Sequence, residues 1–594
     1  MSKYLAGWGI VLMLLSGCAG SGPSSPSQSA DGSLVQITDM RSGTEPTKAA
    51  LAQVGDDMAV VYATKDGRVA LQLRGKRQLL DETARVKKGG SYFQLHADGK
   101  HLQALWWSHE DGKNIYSTTS TDGGESFGPV AMANDDHGVL PPFTLVKGSS
   151  GVAGLAYHDE RLPNYQVYFN RSTDAGRTWP GPDQRQDVVP PSGRSSLAFE
   201  PQLVKTSTQW LLAWTDSVPN PKGGQTFRLL LRTSTDEGIT WSEPKEVTSA
   251  PHQISSLTMK AVGNRAVIAA DELNTGVIAL VTQDGGANWQ RIGEVAVGSS
   301  GVINSGIRLT LSTQGERAHL VWTEERGEAK PTIQVASVDI VAGRWLGNAQ
   351  RLDTKQIANT RSTLPTVLAT RAGPVVAAWL DYRNIRPNIY LAVSYDQGVS
   401  WSNPQTISTP GMESLGWPQL VAWGEGAAIA YERYPTDKIM EGTLTVQTLT
   451  LGDNSSKLMA AYAKETGPDL AERQRKLEQR VQGLWKARVA GDYEAAYRYF
   501  DFAYQAATPL KAYLDNSGVI TYLSYEQLKL TMAGNEASVD MKVRYEVKPI
   551  VLPQTGKPIS VAPFDADVPT KWVWVGNDWY FVYAPQFDQP LLRY

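Results

Sequence analysis

Cysteine is nearly absent from this sequence, whose 594 residues include a single one, Cys18. No disulfide can form within the chain, so packing and hydrogen bonds alone must hold the fold together. The seven histidines show no metal-ligand spacing, and without cysteine partners they do not indicate a zinc site. The sequence therefore predicts no bound metal and no other cofactor.

An excess of charge of either sign is also missing. The chain has 57 Lys and Arg residues against 60 Asp and Glu residues, a formal net charge of -3, and no long run of like charges. It therefore lacks the basic surface that nucleic-acid-binding proteins present. No phosphate-binding loop or nucleophile elbow stands out either. The length nevertheless exceeds what one ordinary core holds, so two or more domains are expected.

Long apolar runs are missing as well. The run at residues 10–15 is too short to cross a bilayer, and with Lys3 before it and small residues after it, it predicts an export signal over residues 1–18. The segment Leu15-Ser-Gly-Cys18 resembles the bacterial lipobox, in which the cysteine is lipidated and becomes the first mature residue. With Ala19 next, the resemblance implies an exported lipoprotein of the outer membrane that faces the periplasm or the outside. An ordinary secretory signal with an incidental cysteine is the alternative.

Residues 19–33 are mostly Ser, Gly and Pro and predict a flexible tether, because they offer almost no large apolar side chain for packing.

A repeated eight-residue segment dominates the region that follows. Each copy has Ser or Thr first, Asp two residues later, Gly after two more, and Trp or Phe last. The five clear copies span residues 120–127, 172–179, 234–241, 282–289 and 394–401, and a degraded sixth spans 337–345. Their aspartates are 52, 62, 48, 55 and 57 residues apart in chain order, which is the period of a radially repeated four-stranded sheet.

The chemistry of this segment predicts a structural role. An Asp carboxylate accepts hydrogen bonds from backbone N–H groups of its own turn, and Gly permits positive φ. The pattern resembles the Asp-box, or BNR repeat, of sialidases and related β-propellers, over about residues 34–451. The resemblance implies that each box lies between the third and fourth strands of a blade, away from the ligand. The structural aspartates are Asp122, Asp174, Asp236, Asp284 and Asp396.

The predicted fold class is therefore mainly β, a β-propeller of four-stranded blades at residues 34–452. The blades number eight by count, with six or seven as alternatives, because eight alternating apolar strands each end in a polar cluster. These strands are residues 58–62, 102–107, 152–157, 210–214, 266–270, 318–322, 375–379 and 427–431. An N-terminal strand at 34–38 is expected to complete the last blade and close the ring. Sialidase propellers have six blades, so a count of eight departs from that resemblance.

Residues 453–468 are predicted to be a polar linker, and residues 469–594 a small α+β domain. Leu470, Leu477, Val481 and Leu484 give a helix at 469–490 one apolar stripe. A second helix is predicted at 493–500, followed by strands at 527–532, 537–545, 571–575 and 579–583. This order is similar to that of NTF2-like (SnoaL-like) domains, which implies a conical pocket that serves binding, packing or, in some members, isomerisation.

Polar clusters follow the eight apolar strands and are expected to ring one mouth of the propeller. A glycosidase needs two carboxylates, or a tyrosine assisted by a carboxylate, beside the scissile bond. Sialidases also hold the substrate carboxylate with three arginines, although the Arg-Ile-Pro signature of that family is absent here. The candidate catalytic residues are Asp381, Tyr382 and Glu432, and the candidate ligand-binding residues are Asp159, Arg161, Arg326, Arg383 and Arg433.

A structural explanation competes with that assignment. Asp159, Asp216 and Asp381 recur at one repeat position, whereas a catalytic residue occurs once, so each could brace its hairpin by pairing with an arginine of the same loop.

The sequence thus predicts an envelope-anchored lipoprotein whose propeller binds a glycan, or an envelope or extracellular protein, without catalysis. Its membrane contact would be the lipid anchor only, and nucleic acid is not an expected partner. The alternative is an exo-sialidase-type glycoside hydrolase that acts on extracellular glycans, so the residues leave open whether the protein is an enzyme.

Replacing Cys18 with serine tests the lipobox interpretation, because a serine cannot carry the thioether-linked lipid. We expect Cys18→Ser to move the protein from the membrane fraction to the soluble fraction, with an unchanged thermal unfolding curve, since the tether contributes no packing. Fractionation with immunoblotting measures the first effect and circular dichroism the second. Membrane retention equal to that of the unmodified sequence would contradict the interpretation.

Overall fold

The computed structural model describes residues 33–41, 49–83, 85–86, 92–135, 137–162, 165–188, 197–220, 222–296, 301–303, 306–326, 330–353, 361–384, 386–407, 414–434, 442–449, 451, 470–501, 504–505, 508–518, 520–533, 536–547, 550–551, 558–559, 562–575 and 578–582. Within these residues the chain is mainly β, as its sequence predicts. The predicted export signal with Cys18, the tether up to residue 32 and the linker at 453–468 lie outside the described residues. None of the described helices combines the length and apolarity that crossing a membrane requires.

Before the linker, the described strands are β1 Ser33–Ile37, β2 Ala49–Val54, β3 Asp57–Ala63, β4 Val69–Leu73, β5 Lys76–Asp81, β6 Phe93–Asp98, β7 His101–Ser108, β8 Asn114–Ser120, β9 Ala131–Met132, β10 Val139–Lys147, β11 Ala153–Asp159, β12 Gln166–Ser172, β13 Gln184–Arg185, β14 Leu197–Lys205, β15 Trp210–Pro219, β16 Gln225–Ser234, β17 Lys245–Ala250, β18 Ile254–Val262, β19 Arg265–Glu272, β20 Gly276–Thr282, β21 Gln290–Ala296, β22 Gly301–Ile303, β23 Arg308–Leu311, β24 Arg317–Arg326, β25 Thr332–Asp339, β26 Arg344–Trp345, β27 Gln350–Arg351, β28 Ser362–Ala369, β29 Val375–Asn384, β30 Arg386–Ser394, β31 Gln405–Thr406, β32 Ser414–Trp423, β33 Gly426–Tyr434 and β34 Thr443–Leu449.

These strands form eight antiparallel sheets within the described region. In chain order they are sheet 1 (β2 to β5), sheet 2 (β6 to β9), sheet 3 (β10 to β13), sheet 4 (β14 to β17), sheet 5 (β18 to β21), sheet 6 (β22 to β27), sheet 7 (β28 to β31) and sheet 8 (β32, β33, β34 and then β1). Sheet 6 departs from four strands because β22 and β23 both pair with β24, while β26 and β27 both pair with β25. The N-terminal strand β1 pairs with β34. Four-stranded antiparallel sheets of this kind fit the blades of a propeller.

The eight apolar strands predicted from the sequence are the second strands of these eight sheets, and each is found. They are apolar along most of their length because both of their faces are covered. In β24, Ala318, Leu320 and Trp322 pack in a cluster with β19 and β20 of sheet 5, whereas Val321 packs in a cluster with β29 and β30 of sheet 7. Successive side chains of one strand thus fill the two adjacent spaces between sheets.

The Asp boxes form one hydrogen-bonded turn that is repeated five times. In the box of Asp174, Ser172 Oγ donates to Asp174 Oδ1 at 2.7 Å, and the Thr178 backbone N–H donates to the same oxygen at 2.9 Å. Thr178 Oγ1 donates to Asp174 Oδ2 at 2.6 Å, and the Gly176 N–H donates to Ser172 Oγ at 2.9 Å. The same bonds recur at Asp122, Asp236, Asp284 and Asp396. At Asp284 the backbone and side-chain N–H groups of Asn288 stabilise the carboxylate and lower its pKa to about 2.

The glycine of each box also lies very close to side chains of the preceding sheet. At Gly238 φ is +83°, and a Cβ atom there would lie 2.5 Å from Phe169 Cζ. A Cβ atom at Gly286 would similarly lie 2.5 Å from Leu211 Cδ2. Glycine is needed at these positions both for the left-handed backbone and for the close approach of two sheets.

The first strands of successive sheets are joined by side-chain bonds that the sequence did not reveal. Leu203 N–H of sheet 4 donates to Thr144 Oγ1 of sheet 3 at 3.0 Å, and Leu257 N–H of sheet 5 donates to Glu200 Oε2 of sheet 4 at 2.8 Å. Gln94 of sheet 2 donates in the same region to a sheet 3 carbonyl at 2.6 Å. These bonds satisfy backbone groups at the edge of each sheet.

The C-terminal region contains helices α1 Leu470–Val489, α2 Tyr493–Tyr497 and α3 Leu510–Asp515, and strands β35 Ile520–Ala533, β36 Glu536–Val547, β37 Ile550–Val551, β38 Pro558–Ile559, β39 Phe564–Val575 and β40 Asp578–Val582. The order β35, β36, β39, β40 makes one antiparallel sheet, and β37 pairs with β38. Helix α1 buries Leu477, Val481, Leu484 and Trp485 against residues of this sheet. The described part of this region is α+β, as predicted.

Two local predictions for this region were wrong, and one helix was missed. Leu470, expected on the apolar stripe, is 63% exposed because it is the first residue of α1. The second helix was predicted to reach Phe500 but ends at Tyr497, since the Tyr499 carbonyl accepts the Phe581 N–H at 2.7 Å and the chain there joins β40 instead. Helix α3 was not predicted at all.

A pair of glycine substitutions tests the packing role of the boxes. Gly238→Ala and Gly263→Ala both place alanine at positive φ, at a cost of about 1 kcal/mol. A Cβ atom added at Gly263 would meet nothing within 4 Å, whereas one added at Gly238 meets Phe169. We therefore expect Gly238→Ala to lose a further ~1–3 kcal/mol of unfolding free energy through overpacking. Equal destabilisation of the two variants in urea titrations would show that the close approach is unimportant.

Candidate functional site

The predicted site residues lie at or just after the ends of the second strands, at the sheet ends opposite the Asp boxes. Asp159 ends β11, Asp381 lies in β29 and Glu432 lies in β33. All three are buried, Asp159 and Asp381 completely and Glu432 to within 3%. A substrate would reach them only if these strand ends moved apart.

Asp381 is saturated by donors of its own sheet. The Arg383 backbone N–H and Nε both donate to Asp381 Oδ1 at 2.9 Å, and Arg383 Nη2 donates to Oδ2 at 2.6 Å. Trp379 Nε1 and Ser362 Oγ also donate to Oδ2, at 3.2 and 3.1 Å. A bidentate guanidinium and three further donors thus occupy both oxygens of this carboxylate. Asp381 therefore has no oxygen left for a substrate.

Tyr382 and Arg383 also contact other side chains that lie in or next to their own sheet. The guanidinium of Arg383 lies 3.9 Å from the centroid of the Tyr390 ring, and its side chain is 11% exposed. The guanidinium of Arg361 lies 5.2 Å from the centroid of the Tyr382 ring, and burial raises the pKa of the Tyr382 hydroxyl. A tyrosine with a raised pKa is a poorer nucleophile, because less of it is ionised.

A second carboxylate, Asp353 at the end of sheet 6, lies close to Asp381. Ser362 Oγ is within hydrogen-bond distance of both, 3.3 Å from Asp353 Oδ2 and 3.1 Å from Asp381 Oδ2. Arg351 binds Asp353 in a bidentate pair at 2.8 and 2.9 Å. Both carboxylates are completely buried with a serine between them, so no glycosidic bond can lie between this pair.

Arg161 joins the ends of sheets 2 and 3. It contacts three carboxylates: Nε lies 2.5 Å from Asp159 Oδ2, Nη1 lies 2.8 Å from Asp135 Oδ1, and Nη2 lies 3.0 Å from Asp183 Oδ2. Its guanidinium also lies 4.0 Å from the centroid of the Tyr168 ring. One guanidinium therefore serves three acids, which favours retention of a proton among them.

Asp135 and Asp183 are neighbours at this junction, and their pKa values are shifted in opposite directions. Each accepts the other's backbone N–H, at 2.7 and 3.0 Å, and the Tyr157 hydroxyl donates to Asp183. Burial raises the pKa of Asp183 to about 6, while the hydrogen bond from Asp183 lowers that of Asp135 to about 2. Neither acid was predicted, because no motif marks them and they meet only through the packing of two sheets.

The same combination of an arginine and an acid recurs in other sheets. Arg228 binds Asp216 in a bidentate pair at 2.8 and 2.6 Å, and Arg291 Nη2 donates to Glu272 at 2.9 Å. Recurrence at one repeat position is the bracing arrangement that the sequence set against catalysis. Asp271, beside Glu272, differs: burial, followed by the charges of Glu200 and Glu272, raises its pKa to about 7.

The four candidate arginines are not joined by any contact among the described residues. Arg161 and Arg383 are held by the carboxylates named above, and Arg433 Nη2 lies 3.5 Å from the Tyr431 hydroxyl. Arg326 pairs through its backbone with Gly301, and its side chain lies outside the described atoms. Arg161 and Arg383 are therefore not available for a three-arginine site that would hold a substrate carboxylate, because each is already paired with an acid.

Four basic side chains that the sequence did not single out lie on first strands. They are His96 on β6, Lys147 on β10, Lys260 on β18 and Arg308 on β23. Within the described part of the chain, no ion pair engages Lys147, Lys260 or Arg308. Asp98 on β6 is the acid whose charge acts on Lys147. The signal that could have found them is a basic residue on the strand that precedes each apolar strand.

The charges of these basic side chains act on groups of several sheets. Burial, then the charges of Lys147 and Lys260, lower the pKa of His96 to about 4, so charges from sheets 3 and 5 reach sheet 2. Surrounding protein lowers the pKa of Lys260 although its side chain is exposed to solvent. Arg308 of sheet 6 likewise acts across the sheets, since its charge reaches Tyr92, next to sheet 2.

A groove of about 260 Å³ lies at the opposite, Asp-box end, between sheets 6 and 7. Arg317 in its wall donates to the backbone carbonyls of Asp396 and Gln397 at 3.4 and 3.2 Å. Arg317 thus stabilises the Asp-box turn of Asp396. Among the described residues no group of three or more His, Cys, Asp or Glu side chains is arranged to hold a metal ion.

Comparison with known proteins agrees with this architecture. The model of the BNR repeat-like domain matches residues 155–429. A sialidase of Bacteroides fragilis (strain YCH46) is 23% identical over 333 residues, which are 46% of this chain and 56% of that protein. The chain therefore spans little more than half the length of this curated relative.

Solved structures with partial similarity include a sialidase and an arabinanase. A mutant of NanB sialidase from Streptococcus pneumoniae has a TM-score of 0.31 and 10% identity, over 68% of this chain and 93% of that one. The α-L-arabinanase of Penicillium chrysogenum, complexed with arabinobiose, has a TM-score of 0.32 and 14% identity, over 51% and 92%. The repeat-domain match and the B. fragilis relative, together with the five box turns and four-stranded sheets, support a sialidase-like β-propeller.

Proposed function

We propose that this chain is a lipid-anchored envelope protein whose sialidase-like propeller binds an acidic glycan without hydrolysing it. The lipobox-like Leu15-Ser-Gly-Cys18 supports the anchor and an outer-membrane location. The observation that carries the binding proposal is the set of first-strand cations without ion pairs in the described chain, whereas the rim carboxylates at the opposite sheet ends are already paired with arginines.

The eight sheets are proposed to close into a ring with their first strands around the axis. Contacts between first strands join sheet 1 to sheet 2, sheets 3 through 8 in succession, and sheet 8 back to sheet 1. Gln94 and the Tyr92–Phe143 ring pair, with centroids 4.9 Å apart, join sheet 2 to sheet 3. The pairing of β1 with β34 supports closure by the N-terminus, which leaves no exposed sheet edge.

In such a ring Lys147, Lys260 and Arg308 would project into or beside one axial opening. Cations concentrated in an opening with low-dielectric walls attract anionic ligands and raise their local concentration. Uronic acids and sulfated sugars carry the negative groups that lysine and arginine bind. An acidic glycan is therefore favoured over a neutral one. An envelope or extracellular protein is the other partner class that the sequence left open.

Binding without hydrolysis is proposed because the candidate acids at the strand ends are buried and paired with arginines. Two carboxylates that act on a glycosidic bond must both reach the substrate. Asp159 and Asp381 are completely buried and paired with Arg161 and Arg383. The repeated pairs stabilise the strand ends and leave no accessible acid pair among them.

The hydrolase alternative is favoured by one specific observation, the two acids with raised pKa. Asp183 at about 6 and Asp271 at about 7 have pKa values that suit a general acid at neutral pH. Burial argues against both, since Asp183 has no exposed side-chain surface and Asp271 is 6% exposed.

The C-terminal α+β region is proposed to be an NTF2-like module for binding or packing. A long helix against a four-stranded antiparallel sheet supports this assignment. Lys330 of the propeller region lies 2.9 Å from Glu536 Oε1 of this module, and β29 also contacts β39.

Neutralising two of the cations tests the binding proposal. We expect the double variant Lys147→Gln/Lys260→Gln to bind trigalacturonate roughly thirtyfold more weakly than the unmodified chain, since each lost charge is worth about 1 kcal/mol in a partly desolvated place, or about 2 kcal/mol together. Lys222→Gln, which changes an exposed lysine of a strand connection, is the matched control and should bind normally. Calorimetry measures both affinities. Unchanged affinity of the double variant, or equal binding of neutral maltotriose, would contradict the proposal.

An activity assay separates binding from hydrolysis. Purified protein should release no aryl alcohol from aryl sialosides or other aryl glycosides above a heat-treated control. The substitutions to compare are Asp381→Asn, Glu432→Gln, Asp183→Asn and Asp271→Asn. Turnover that one of these abolishes would establish the hydrolase, because general acid–base assistance contributes roughly 10²–10⁴-fold.

A further inference from the structure

Arg488, in the last turn of α1, is a buried cation surrounded by aromatic rings. It is 7% exposed. Its Cζ lies 4.7 Å from the centroid of the Trp485 ring, 5.0 Å from Phe581, 5.5 Å from Tyr522 and 5.9 Å from Phe500. The rings belong to α1, to β35 and β40, and to the segment after α2, so most elements of the C-terminal module converge on this one guanidinium.

No acceptor within the described part of the chain meets this guanidinium. Among those residues Arg488 forms no ion pair and no side-chain hydrogen bond, although a guanidinium has five N–H donors. Trp485, three residues earlier and 1% exposed, has its indole Nε1 buried without a partner there as well. The buried indole N–H of Trp485 thus lacks an acceptor in the described chain, which native structures rarely leave uncompensated, and it lies beside a guanidinium that makes no hydrogen bond there.

The aromatic rings do not replace the missing acceptor. Cation–π contacts do not satisfy the N–H groups, and a buried ion without hydrogen-bonded partners is costly. Arg480 on the same helix shows the usual solution. It lies 4.5 Å from the Tyr499 centroid, but its Nε also donates to the Trp579 carbonyl at 2.7 Å, and its Nη1 lies 3.6 Å from Asp578. Arg488 contacts aromatic rings in the same way, but among the described residues no acceptor binds its guanidinium.

We propose that Arg488 and Trp485 bind the carboxylate of a small aromatic organic acid. A carboxylate offers two oxygens for the guanidinium fork, with a lone pair left for the indole N–H. The rings of Phe500, Tyr522 and Phe581 would pack against the apolar body of the ligand. Tyr513 beside them adds a hydroxyl that stays protonated, because burial raises its pKa to about 12. This site is separate from the propeller and does not rest on its proposed function.

Benzoate is the probe for this site, and benzyl alcohol is its neutral match. With the purified full chain, calorimetry should show benzoate binding with a dissociation constant of about 1 mM or tighter, which corresponds to about -4 kcal/mol, and at least roughly tenfold weaker binding of benzyl alcohol. Arg488→Met removes the charge and keeps an unbranched apolar stem. It should reduce benzoate affinity at least roughly tenfold while the thermal midpoint without ligand stays the same or rises. Arg475→Met, at an exposed position of the same helix, is the control and should bind like the unmodified chain.

If Arg488→Met fails to fold, a second variant and the binding data of the unmodified chain still test the proposal. Arg488→Lys keeps the charge without the fork, and it should bind benzoate at least roughly tenfold more weakly with its fold intact. The proposal is overturned if the unmodified chain does not bind benzoate, if benzyl alcohol binds as well as benzoate, or if folded Arg488→Met or Arg488→Lys retains full benzoate affinity.

Discussion

The hydrogen-bonded Asp-box turn is the interaction on which the rest of this structure depends. In each of the five clear copies, one carboxylate accepts a side-chain hydroxyl and a backbone N–H on the same oxygen, and so fixes the connection between the third and fourth strands. The glycine that follows lets the turn approach the preceding sheet, as Gly238 does against Phe169. A local turn thereby sets the distance between sheets. No disulfide helps, since the chain has a single cysteine.

Charge is distributed unevenly between the strand ends and the first strands. At the sheet ends opposite the boxes, buried acids such as Asp216, Asp353 and Asp381 are matched by arginines in bidentate pairs. Such pairs hold strand ends together but offer little to a ligand, because both partners are already bound. Lys147 and Lys260 lack such partners within the described chain. These two lysines therefore carry charges that no ion pair takes up in that part of the chain, although the net charge of the whole chain is -3.

The sequence predicted the parts of the fold that depend on short repeats. The box spacing and the eight apolar strands indicated the sheets, because each repeat carries its own turn and its own two-sided strand. Sheet 6 was harder, since its degraded box keeps only an Ala342 N–H bond to Asp339 among the described contacts and its outer strand is split. Helix α2 was predicted too long because its end is decided by pairing between Phe500 and Phe581, which lie far apart in the sequence and which no local pattern connects.

The candidate site was less predictable for the same physical reason. Asp381 and Arg383 are neighbours in sequence and could be named together, but their mutual saturation depends on donors from Trp379 and Ser362. Asp135 and Asp183 meet across two sheets, and the cations of β10, β18 and β23 come from segments far apart in the chain. Long-range convergence of this kind depends on how the sheets pack together, and no single motif encodes it.

We propose that the first-strand cations, and not the rim carboxylates, bind an acidic glycan. A crystal structure of the full chain soaked with trigalacturonate tests this most directly. We expect ligand carboxylates within salt-bridge distance of at least two of Lys147, Lys260 and Arg308, with every glycosidic bond intact. Ligand density at Asp381 and Glu432 instead, or a cleaved sugar at any position, would contradict it.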